Sequence, residues 1–325
     1  MRSALHHSFG DPADVIVPGD SPVPEPGAGQ VRVRMILAPI HNHDLVTIRG
    51  VYGWKPALPA IGGSEGVGVV DAIGEGVEGL QVGQRVNCAS GRGTWAEYFV
   101  ASAKMALPLP DAIPDEVAAQ LVAMPLSALM LLQFLQAEPG QWIVQNAANG
   151  AVGKTLAMLA AARGVRVLSL VRRDAGIDEM AALGIADVVS TAQADWRERA
   201  RALLGDGGAQ VAVDAVGGQA SADLVSLLGD GGTLVPFGAM SGEPMRVPSG
   251  DVIFRHLVVR GFWGSKVSRA MAPADRHGLM AELVERAADG QLRLPVDSIH
   301  PLENAAQAVA ASLRPGRGGK VLLRA

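Results

Sequence analysis

Two different patterns of hydrophobic positions divide the chain near residue 115. Before that point, short runs rich in valine, proline and glycine dominate, and Val31–Ile36 alternates apolar with charged residues, which is typical of a half-buried strand. The segments Gly66–Ile73 and Gln84–Asn87 predict further strands, separated by glycine turns. The first part of the chain is therefore predicted to be a compact, β-rich domain.

Beyond residue 115, short apolar runs alternate strictly with longer amphipathic segments. The apolar runs predict strands at Trp142–Ala147, Val165–Val171, Asp187–Ser190, Gln210–Val216, Thr233–Phe237 and Leu257–Phe262. The segments between them predict helices at Ala151–Arg163, Ile177–Leu183, Asp195–Leu204 and Gly218–Leu228. Each helix is expected to end at a glycine in the left-handed conformation, namely Gly164, Gly184, Gly205 and Gly229. Because strands joined by crossover helices run parallel, this part predicts a doubly wound α/β sheet.

The last part of the chain has too little apolar surface to fold alone. Its predicted elements are a helix, a strand, a second helix and a final strand, at Ala274–Asp289, Val296–His300, Glu303–Leu313 and Lys320–Arg324. We expect this tail to complete the first domain. The predicted domains are therefore residues 1–115 together with 265–325, and residues 116–264.

The first strand–helix turn of the alternating region has the composition of a dinucleotide-binding loop. Gly150 lets the backbone approach a pyrophosphate, Gly153 lets the helix pack closely, and the helix N-terminus offers N–H groups and a positive dipole end. The strict G-x-G-x-x-G pattern is absent, because Ala148 stands at the first glycine position, so an ordinary strand–turn–helix is the alternative. The cofactor contacts predicted in this loop are Asn146, Asn149, Gly150, Ala151, Val152 and Gly153.

The end of the second strand of the sheet bears on which cofactor is bound. Arg172 and Arg173 stand where NAD-binding proteins place a carboxylate on the ribose, and guanidinium groups pair well with a 2′-phosphate. We therefore predict NADPH, while in the alternative Asp174 binds the ribose of NAD. Further cofactor contacts are expected at the carboxyl ends of the fourth and fifth strands, at Val216, Gly217, Gly238 and Met240.

Composition and charge exclude several classes of protein. The 325 residues carry 28 basic and 32 acidic side chains, a net charge of −4 with no basic run, so no nucleic-acid partner is predicted. The single cysteine, Cys88, excludes an intrachain disulfide and a structural zinc site made of four cysteines. The N-terminus lacks a secretory apolar core, and the apolar run Leu121–Leu135 is shorter than a membrane-spanning helix. We predict a soluble, cytoplasmic protein that does not bind membranes.

Several stretches resemble one enzyme family. Gly62–Gly68, followed by Gly79–Val86, is similar to the glycine-rich region of the medium-chain dehydrogenase/reductase superfamily. Within it, Tyr52–Gly63, Gln145–Gly153 and Arg260–Trp263 resemble the zinc-free 2-enoyl thioester reductases of the mitochondrial type, and the first of these stretches also resembles quinone reductases. The resemblance implies a GroES-like domain, made from both ends of the chain, around a Rossmann domain. It also implies NADPH as cofactor and a homodimer.

The zinc-ligand positions of the metal-dependent relatives carry other residues. Ser64 stands at the histidine position, His41 stands at the first ligand position, and no cysteine or histidine lies around Ala123–Pro125. A catalytic zinc needs three protein ligands, so no metal is predicted. The alternative is a zinc site made from His41, His43 and Glu65. In the favoured interpretation, His41 and His43 form hydrogen bonds around the substrate pocket.

Without zinc, another group must polarise the substrate carbonyl. The phenol of Tyr52 is the candidate, because it can donate to a developing enolate oxygen or supply a proton. The alternative is a tyrosine that only covers the site. The resemblance further implies that Phe262 and Trp263 line the substrate pocket, with core packing as the alternative for Phe262, and that Lys320 contacts the cofactor.

Three functions are compatible with these features. The favoured one is NADPH-dependent reduction of the activated C=C bond of a 2-enoyl thioester. The second is an NADPH:quinone oxidoreductase acting on quinones or other conjugated carbonyls. The third is a protein that binds NADPH without turnover, against which the presence of Tyr52 argues.

Overall fold

The computed structural model describes residues 1–89 and 92–325. Its strands are β1 (Arg2–His6), β2 (Ile16–Asp20), β3 (Gln30–Pro39), β4 (Ala60–Ile61), β5 (Glu65–Ile73), β6 (Arg85–Ala89), β7 (Tyr98–Ser102), β8 (Ala106–Pro108), β9 (Trp142–Gln145), β10 (Arg166–Val171), β11 (Val188–Ser190), β12 (Ala209–Asp214), β13 (Leu228–Pro236), β14 (Val258–Val259), β15 (Val296–Pro301) and β16 (Lys320–Arg324). Its α-helices are α1 (Pro12–Val15), α2 (Asn42–Ile48), α3 (Asp115–Ala118), α4 (Ala123–Leu135), α5 (Ala151–Ala162), α6 (Ala175–Ala181), α7 (Trp196–Leu204), α8 (Gln219–Val225), α9 (Ser249–Phe254), α10 (Gly264–Ala270), α11 (Pro273–Ala288) and α12 (Ala305–Leu313). Two 3₁₀ turns lie at Ala103–Met105 and Leu302–Asn304.

The chain forms two compact units. Unit 1 consists of Met1–Ala123 with Glu282–Ala325, and unit 2 consists of Met124–Ala281. Both boundaries therefore lie later in the chain than the residues 115 and 264 expected from the sequence. The second boundary falls inside α11, so the chain after β14 remains part of unit 2 through α10 and the first turns of α11.

Unit 1 is built on antiparallel strands from the N-terminal segment, joined by the last two strands of the chain. The larger sheet has the order β15-β16-β3-β5-β6-β8, with β7 also paired to β3, and a smaller sheet has the order β2-β1-β4. On β3, Val31, Val33 and Met35 are buried, and Arg34 between them is exposed, as the alternating pattern predicts. Their burial places the core of unit 1 on this face of β3, because alternate side chains of a strand point to one side.

Unit 2 contains a parallel sheet in the order β11-β10-β9-β12-β13-β14. Helices connect its strands, which confirms the predicted combination of a β-rich domain with a doubly wound α/β domain. The apolar run of the sequence forms α4, which is largely buried. None of the helices in residues 1–89 and 92–325 combines the length and the apolar surface needed to cross a bilayer.

The predicted glycine caps are confirmed at three of four positions. Gly164, Gly184 and Gly205 all have φ near +70° after a helix. The prediction for Gly229 is wrong, because α8 ends at Val225 and Gly229 lies within β13. A Cβ at Gly229 would lie 2.1 Å from a backbone oxygen of a neighbouring loop, so this glycine permits a close approach of two backbones.

Candidate functional site

The loop after β3 places two histidines at the start of α2. His41 occupies the N-cap position, and its backbone N–H donates to Oδ2 of Asp44, 2.9 Å away. This bond is part of a capping box, which fixes the residue at which the helix begins. The His41 side chain is fully buried, whereas the His43 side chain is 28% exposed. The cap therefore sets one histidine inside the unit and leaves the next one accessible.

The buried His41 ring is paired with a buried carboxyl group. Its Nε2 lies 2.7 Å from Oε2 of Glu65, and its buried Nδ1 has no hydrogen-bond partner among residues 1–89 and 92–325. Burial lowers the pKa of His41 well below its ordinary value, and burial raises the pKa of Glu65 to about 7. A neutral His41 with its proton on Nε2 fits this geometry, because a protonated Nδ1 would be a buried donor without an acceptor.

Glu65 also ties three segments of unit 1 together. Its Oε1 accepts hydrogen bonds from Nδ2 of Asn87 and from the backbone N–H groups of Val122 and Ala123, at 2.8–3.1 Å. These donors oppose the effect of burial on the Glu65 pKa. Glu65, which the sequence suggested only as an alternative zinc ligand, is thus a structural link beneath the histidines.

Ser64 connects His43 to Asp44. The Ser64 hydroxyl lies 2.6 Å from Oδ1 of Asp44 and 2.7 Å from Nε2 of His43. An ionised carboxylate only accepts hydrogen bonds, so Ser64 donates to Asp44 and accepts the Nε2–H of His43. The preceding Gly63 has φ +90° and lies so close to Trp95 that a Cβ would come within 2.3 Å of the ring. Only glycine fits there, and it sets Ser64 in position.

Tyr52 lies in the loop after α2 and is 45% exposed. Its ring centroid is 6.3 Å from that of His43, which stacks on His41 with centroids 5.0 Å apart. Unit 1 therefore brings together three of the predicted site residues. An accessible phenol beside an imidazole can donate a hydrogen bond or a proton to a bound molecule.

The side chains of this cluster offer few donor atoms to a metal ion. In the part of the chain that the structure describes, no three or more histidine, cysteine, aspartate or glutamate side chains are arranged to hold a metal ion. The Nε2 atoms of His41 and His43 are both engaged in hydrogen bonds with protein side chains. The Cys88 thiol is buried, and burial raises its pKa to about 12, which removes the thiolate as a ligand or nucleophile.

Lys320 lies near the histidines in unit 1. Its partly buried side chain donates from Nζ to the backbone oxygen of Ile40 at 3.4 Å. Burial lowers the Lys320 pKa to about 8, although the carboxylates of Asp44 and Glu65 oppose that effect. The amine is therefore directed at the interior of unit 1, and a contact with cofactor stays a prediction.

In unit 2, the loop after β9 leads into α5 with Gly150 as N-cap. The N–H groups of Ala151, Val152 and Gly153 belong to the first turn, which has no partners inside the helix. A Cβ at Gly153 would lie 2.6 Å from the backbone oxygen of Ala148, so only glycine allows this packing. Free N–H groups at the start of a 12-residue helix suit a pyrophosphate, so these residues fit a dinucleotide.

Asn146 holds this loop to its neighbour. Its Nδ2 donates to Asp214 at 2.7 Å, and its Oδ1 accepts the backbone N–H of Ala215 at 2.8 Å. The buried Asp214 also accepts the N–H groups of Val216 and Gly217, at 2.9 and 3.0 Å. The side chain of Asn146 therefore positions two loops of the sheet edge. Asp214 was missed from the sequence, where its only signal is an acidic residue at the end of an apolar strand.

The loops after β12 and β13 are joined at the carboxyl edge of the parallel sheet. The N–H of Met240 donates to the backbone oxygen of Ala215, and a Cβ at Gly238 would lie 2.7 Å from that oxygen. Gly217 has φ +81°, and the Met240 side chain is 73% exposed. Unit 2 thus brings Asn146, Gly217, Gly238 and Met240 to one edge of its sheet.

The two arginines after β10 are both exposed, but they differ in their partners. Arg173 forms an ion pair with Glu179 of α6 at 3.0 Å, and Nδ2 of Asn149 lies 3.5 Å from the same carboxylate. Arg172 makes no ion pair with any residue in 1–89 or 92–325. Asp174 is also exposed. A phosphate at this loop would meet one available guanidinium and one that is shared with Glu179.

The predicted aromatic pair is divided between the interior and the surface of unit 2. Phe262 is 6% exposed, and its ring meets that of Phe134 edge-on with centroids 5.3 Å apart. This packing favours the core alternative for Phe262. Trp263 is 62% exposed, with the guanidinium of Arg269 5.3 Å from its ring centroid. Of these two aromatic residues, Trp263 is the one whose ring is accessible.

Two family descriptions match consecutive parts of the chain. Residues 27–111 match the alcohol dehydrogenase GroES-like domain, and residues 151–284 match the zinc-binding dehydrogenase family. The human protein named mitochondrial enoyl-[acyl-carrier-protein] reductase is 34% identical over 329 residues, covering 99% of this chain and 88% of that protein.

Solved structures give similar results. A mycobacterial quinone oxidoreductase has a TM-score of 0.88 and 28% identity, and the match covers all of both chains. A mycobacterial protein solved in complex with NADPH has a TM-score of 0.87 and 27% identity, again over the whole of both chains. The similarity therefore spans the full chain and both units.

Proposed function

Because the chain belongs to the medium-chain dehydrogenase/reductase family, we propose that it reduces the activated C=C bond of 2-enoyl thioesters with NADPH. The observation that carries this proposal is the match to an enoyl reductase over 99% of the chain, combined with an exposed Tyr52 beside His43. As a family member the chain is an oxidoreductase that uses a nicotinamide cofactor. The substrate class and the preference for NADPH are the parts that we propose.

The cofactor would be held by unit 2. The free N–H groups of Ala151, Val152 and Gly153 would bind the pyrophosphate, and Arg172 and Arg173 would bind the 2′-phosphate. The predicted contacts from Val216, Gly217, Gly238 and Met240 lie on loops at the carboxyl edge of the sheet, where ligands of such sheets bind. The bound cofactor would supply a hydride to the β-carbon of the substrate.

The side chains that donate hydrogen bonds or protons to the substrate would come from unit 1. The phenol of Tyr52 would donate a hydrogen bond to the thioester oxygen as negative charge develops there, and a proton would be delivered to the α-carbon. His41 and Glu65 are buried together and support the start of α2, the helix that carries His43. Trp263 would contribute an apolar surface for the acyl group, consistent with its exposure.

The test is a pair of substrates assayed side by side. NADPH oxidation is measured with crotonyl-CoA and with a simple quinone at matched concentrations. We expect the value of kcat/KM for crotonyl-CoA to exceed that for the quinone. The opposite order would establish the quinone reductase instead, which the similarity to a mycobacterial quinone oxidoreductase favours as the second candidate. Binding of NADPH without turnover of either compound would support the non-catalytic alternative.

We further propose that the protein is a homodimer joined through β14. This strand lies at the edge of the six-stranded sheet, and its residues Val258 and Val259 are 49% and 41% exposed. The nearby helix α9 exposes Ile253 and Phe254, at 62% and 81%. An apolar strand edge of this kind is a template for pairing with a second copy.

A charge on the edge strand tests the dimer. Val259→Lys is expected to convert the dimer to a monomer, because a lysine on an edge strand opposes pairing. Sedimentation equilibrium measures the mass of each variant. Leu203→Lys, which alters an exposed apolar residue of α7, is the control and should leave the dimer intact. A monomeric wild-type protein, or a dimeric Val259→Lys variant, would contradict the proposal.

The compartment stays a prediction. The sequence suggests the cytoplasm, while the curated human relative carries the word mitochondrial in its name.

A further inference from the structure

We propose that His43 is the group that returns a proton to Tyr52 after each turnover, and that Ser64 and Asp44 hold its ring for this task. The inference rests on the proposed reaction and takes Tyr52 as the group that delivers the proton to the α-carbon of the enolate. It assigns a function to the hydrogen-bonded side chains of His43, Ser64 and Asp44, which the proposed binding of substrate and cofactor leaves without a role.

The direction of the hydrogen bonds fixes the position of the protons on His43. Asp44 accepts from Ser64 at 2.6 Å, so the serine oxygen has only lone pairs to offer His43, 2.7 Å away. Nε2 of His43 must therefore carry a hydrogen. Its Nδ1 makes no hydrogen bond within the described ranges and is the nitrogen left for exchange. A base oriented by a second group is the arrangement that proton-transfer sites use.

Several titratable groups lie around the ring of His43. The titratable groups around its ring are His41, Asp44, Glu65 and, farther in, Lys320. His41 stacks on His43, and burial keeps the His41 pKa low, so the stacked His41 ring adds no positive charge beside His43. The ring of Tyr52 is its other aromatic neighbour, with centroids 6.3 Å apart, and both side chains are partly exposed.

The proton balance closes without any further reagent. Tyr52 gives its hydroxyl proton to the α-carbon, and the electron pair of that O–H bond stays on the phenolate oxygen. The imidazolium form of His43 then gives its Nδ1 proton to the phenolate and becomes neutral. A proton from the solvent then returns to Nδ1, so that one solvent proton is consumed for each C=C bond that is reduced.

The experiment compares His43→Gln with His43→Ala at saturating NADPH and varied crotonyl-CoA. Glutamine keeps an N–H donor for Ser64 but cannot exchange a proton, so it separates positioning from proton transfer. We expect kcat to fall by about ten-fold or more in both variants, with KM changed by no more than about two-fold. Added imidazole should restore part of the kcat of His43→Ala.

A second histidine that lies beside a serine and an aspartate provides the matched control. His300 on β15 has its Nε2 3.1 Å from the hydroxyl of Ser298, which in turn lies 3.4 Å from Asp297. His300→Gln should leave kcat unchanged. A His43→Gln variant as active as the wild type would overturn the proposal, as would a fall in kcat that is matched by His300→Gln.

Nitrogen NMR of the histidine rings tests the relay independently of activity. When the His43 ring of the wild type has lost one proton, the remaining proton should lie on Nε2, and Ser64→Ala should shift the neutral ring towards a mixture of tautomers. Nδ1–H as the dominant tautomer would overturn the proposal. If the wild type fails to reduce crotonyl-CoA while His43 shows the expected tautomer, the proposed substrate is wrong and the assignment of the protons stands. If crotonyl-CoA is reduced and the His43 variants are unaffected, only the relay is wrong.

Discussion

Tyr52→Phe is expected to lower kcat for crotonyl-CoA by at least about ten-fold, within the range that a general acid contributes. The change removes one hydroxyl and keeps the ring, so the stacked rings of His43 and His41 should remain in place. The hydrogen bond from Tyr52 stabilises the transition state, in which negative charge develops on the enolate oxygen, more than it stabilises the ground state. The variant lacks this hydrogen bond. The loss should therefore appear in kcat and in kcat/KM together, with little change in KM.

The second tyrosine of the chain is the matched control. Tyr98 lies on β7, where its ring is within 5.8 Å of the Arg32 guanidinium, and it belongs to no predicted site. Tyr98→Phe should have the kcat of the wild type. Initial rates of NADPH oxidation measure both variants. An unchanged kcat for Tyr52→Phe would remove Tyr52 from the reaction and leave it as a residue that covers the site.

The parts of the fold that the sequence predicted best are those with a local cause. Apolar strand runs followed by amphipathic segments gave α5 and α7 to within one residue, and the glycines at 164, 184 and 205 ended their helices. The prediction of a helix cap at Gly229 was wrong, because the need for glycine at this position does not arise from the local sequence. Gly229 approaches the backbone of another loop, and that contact exists only once β13 has paired with β12.

The same distinction explains the candidate site. The sequence suggested His41, His43 and Tyr52 one by one, since each stands in a recognisable stretch. The chain His43–Ser64–Asp44 depends on residues about 20 positions apart that meet only in the folded unit. Hydrogen bonds of this kind have no periodicity and leave no pattern in a single sequence.

Two residues that the sequence predicts as cofactor contacts also form long-range hydrogen bonds within the protein. Asn146 was expected to touch cofactor, but its side chain is committed to Asp214, 68 residues away. Lys320 is a basic residue near the C-terminus in the sequence, and in the fold its partly buried amine donates to the backbone of Ile40. These hydrogen bonds are not recorded in a single sequence, and contact with cofactor stays a prediction for both residues.

The double variant Arg172→Gln/Arg173→Gln is expected to raise KM for NADPH by about 100-fold while changing KM for NADH by no more than about three-fold. Each charge-assisted hydrogen bond to a phosphate contributes about 1.5–3 kcal/mol, and about 1.4 kcal/mol corresponds to a factor of ten. Only NADPH carries the 2′-phosphate, so the change should act on one cofactor alone. Steady-state kinetics with both cofactors at fixed crotonyl-CoA measure the ratio.

Glu179 allows a further test, because its carboxylate forms an ion pair with Arg173 and would compete with a phosphate for that guanidinium. Glu179→Gln removes a negative charge near the expected phosphate and frees that guanidinium, so KM for NADPH should fall or stay constant. Arg201→Gln, on α7, is the control for the loss of an exposed arginine and should leave both KM values unchanged. A wild-type preference for NADH, or a double variant that keeps its KM for NADPH, would instead favour Asp174 as the residue that binds an unphosphorylated ribose.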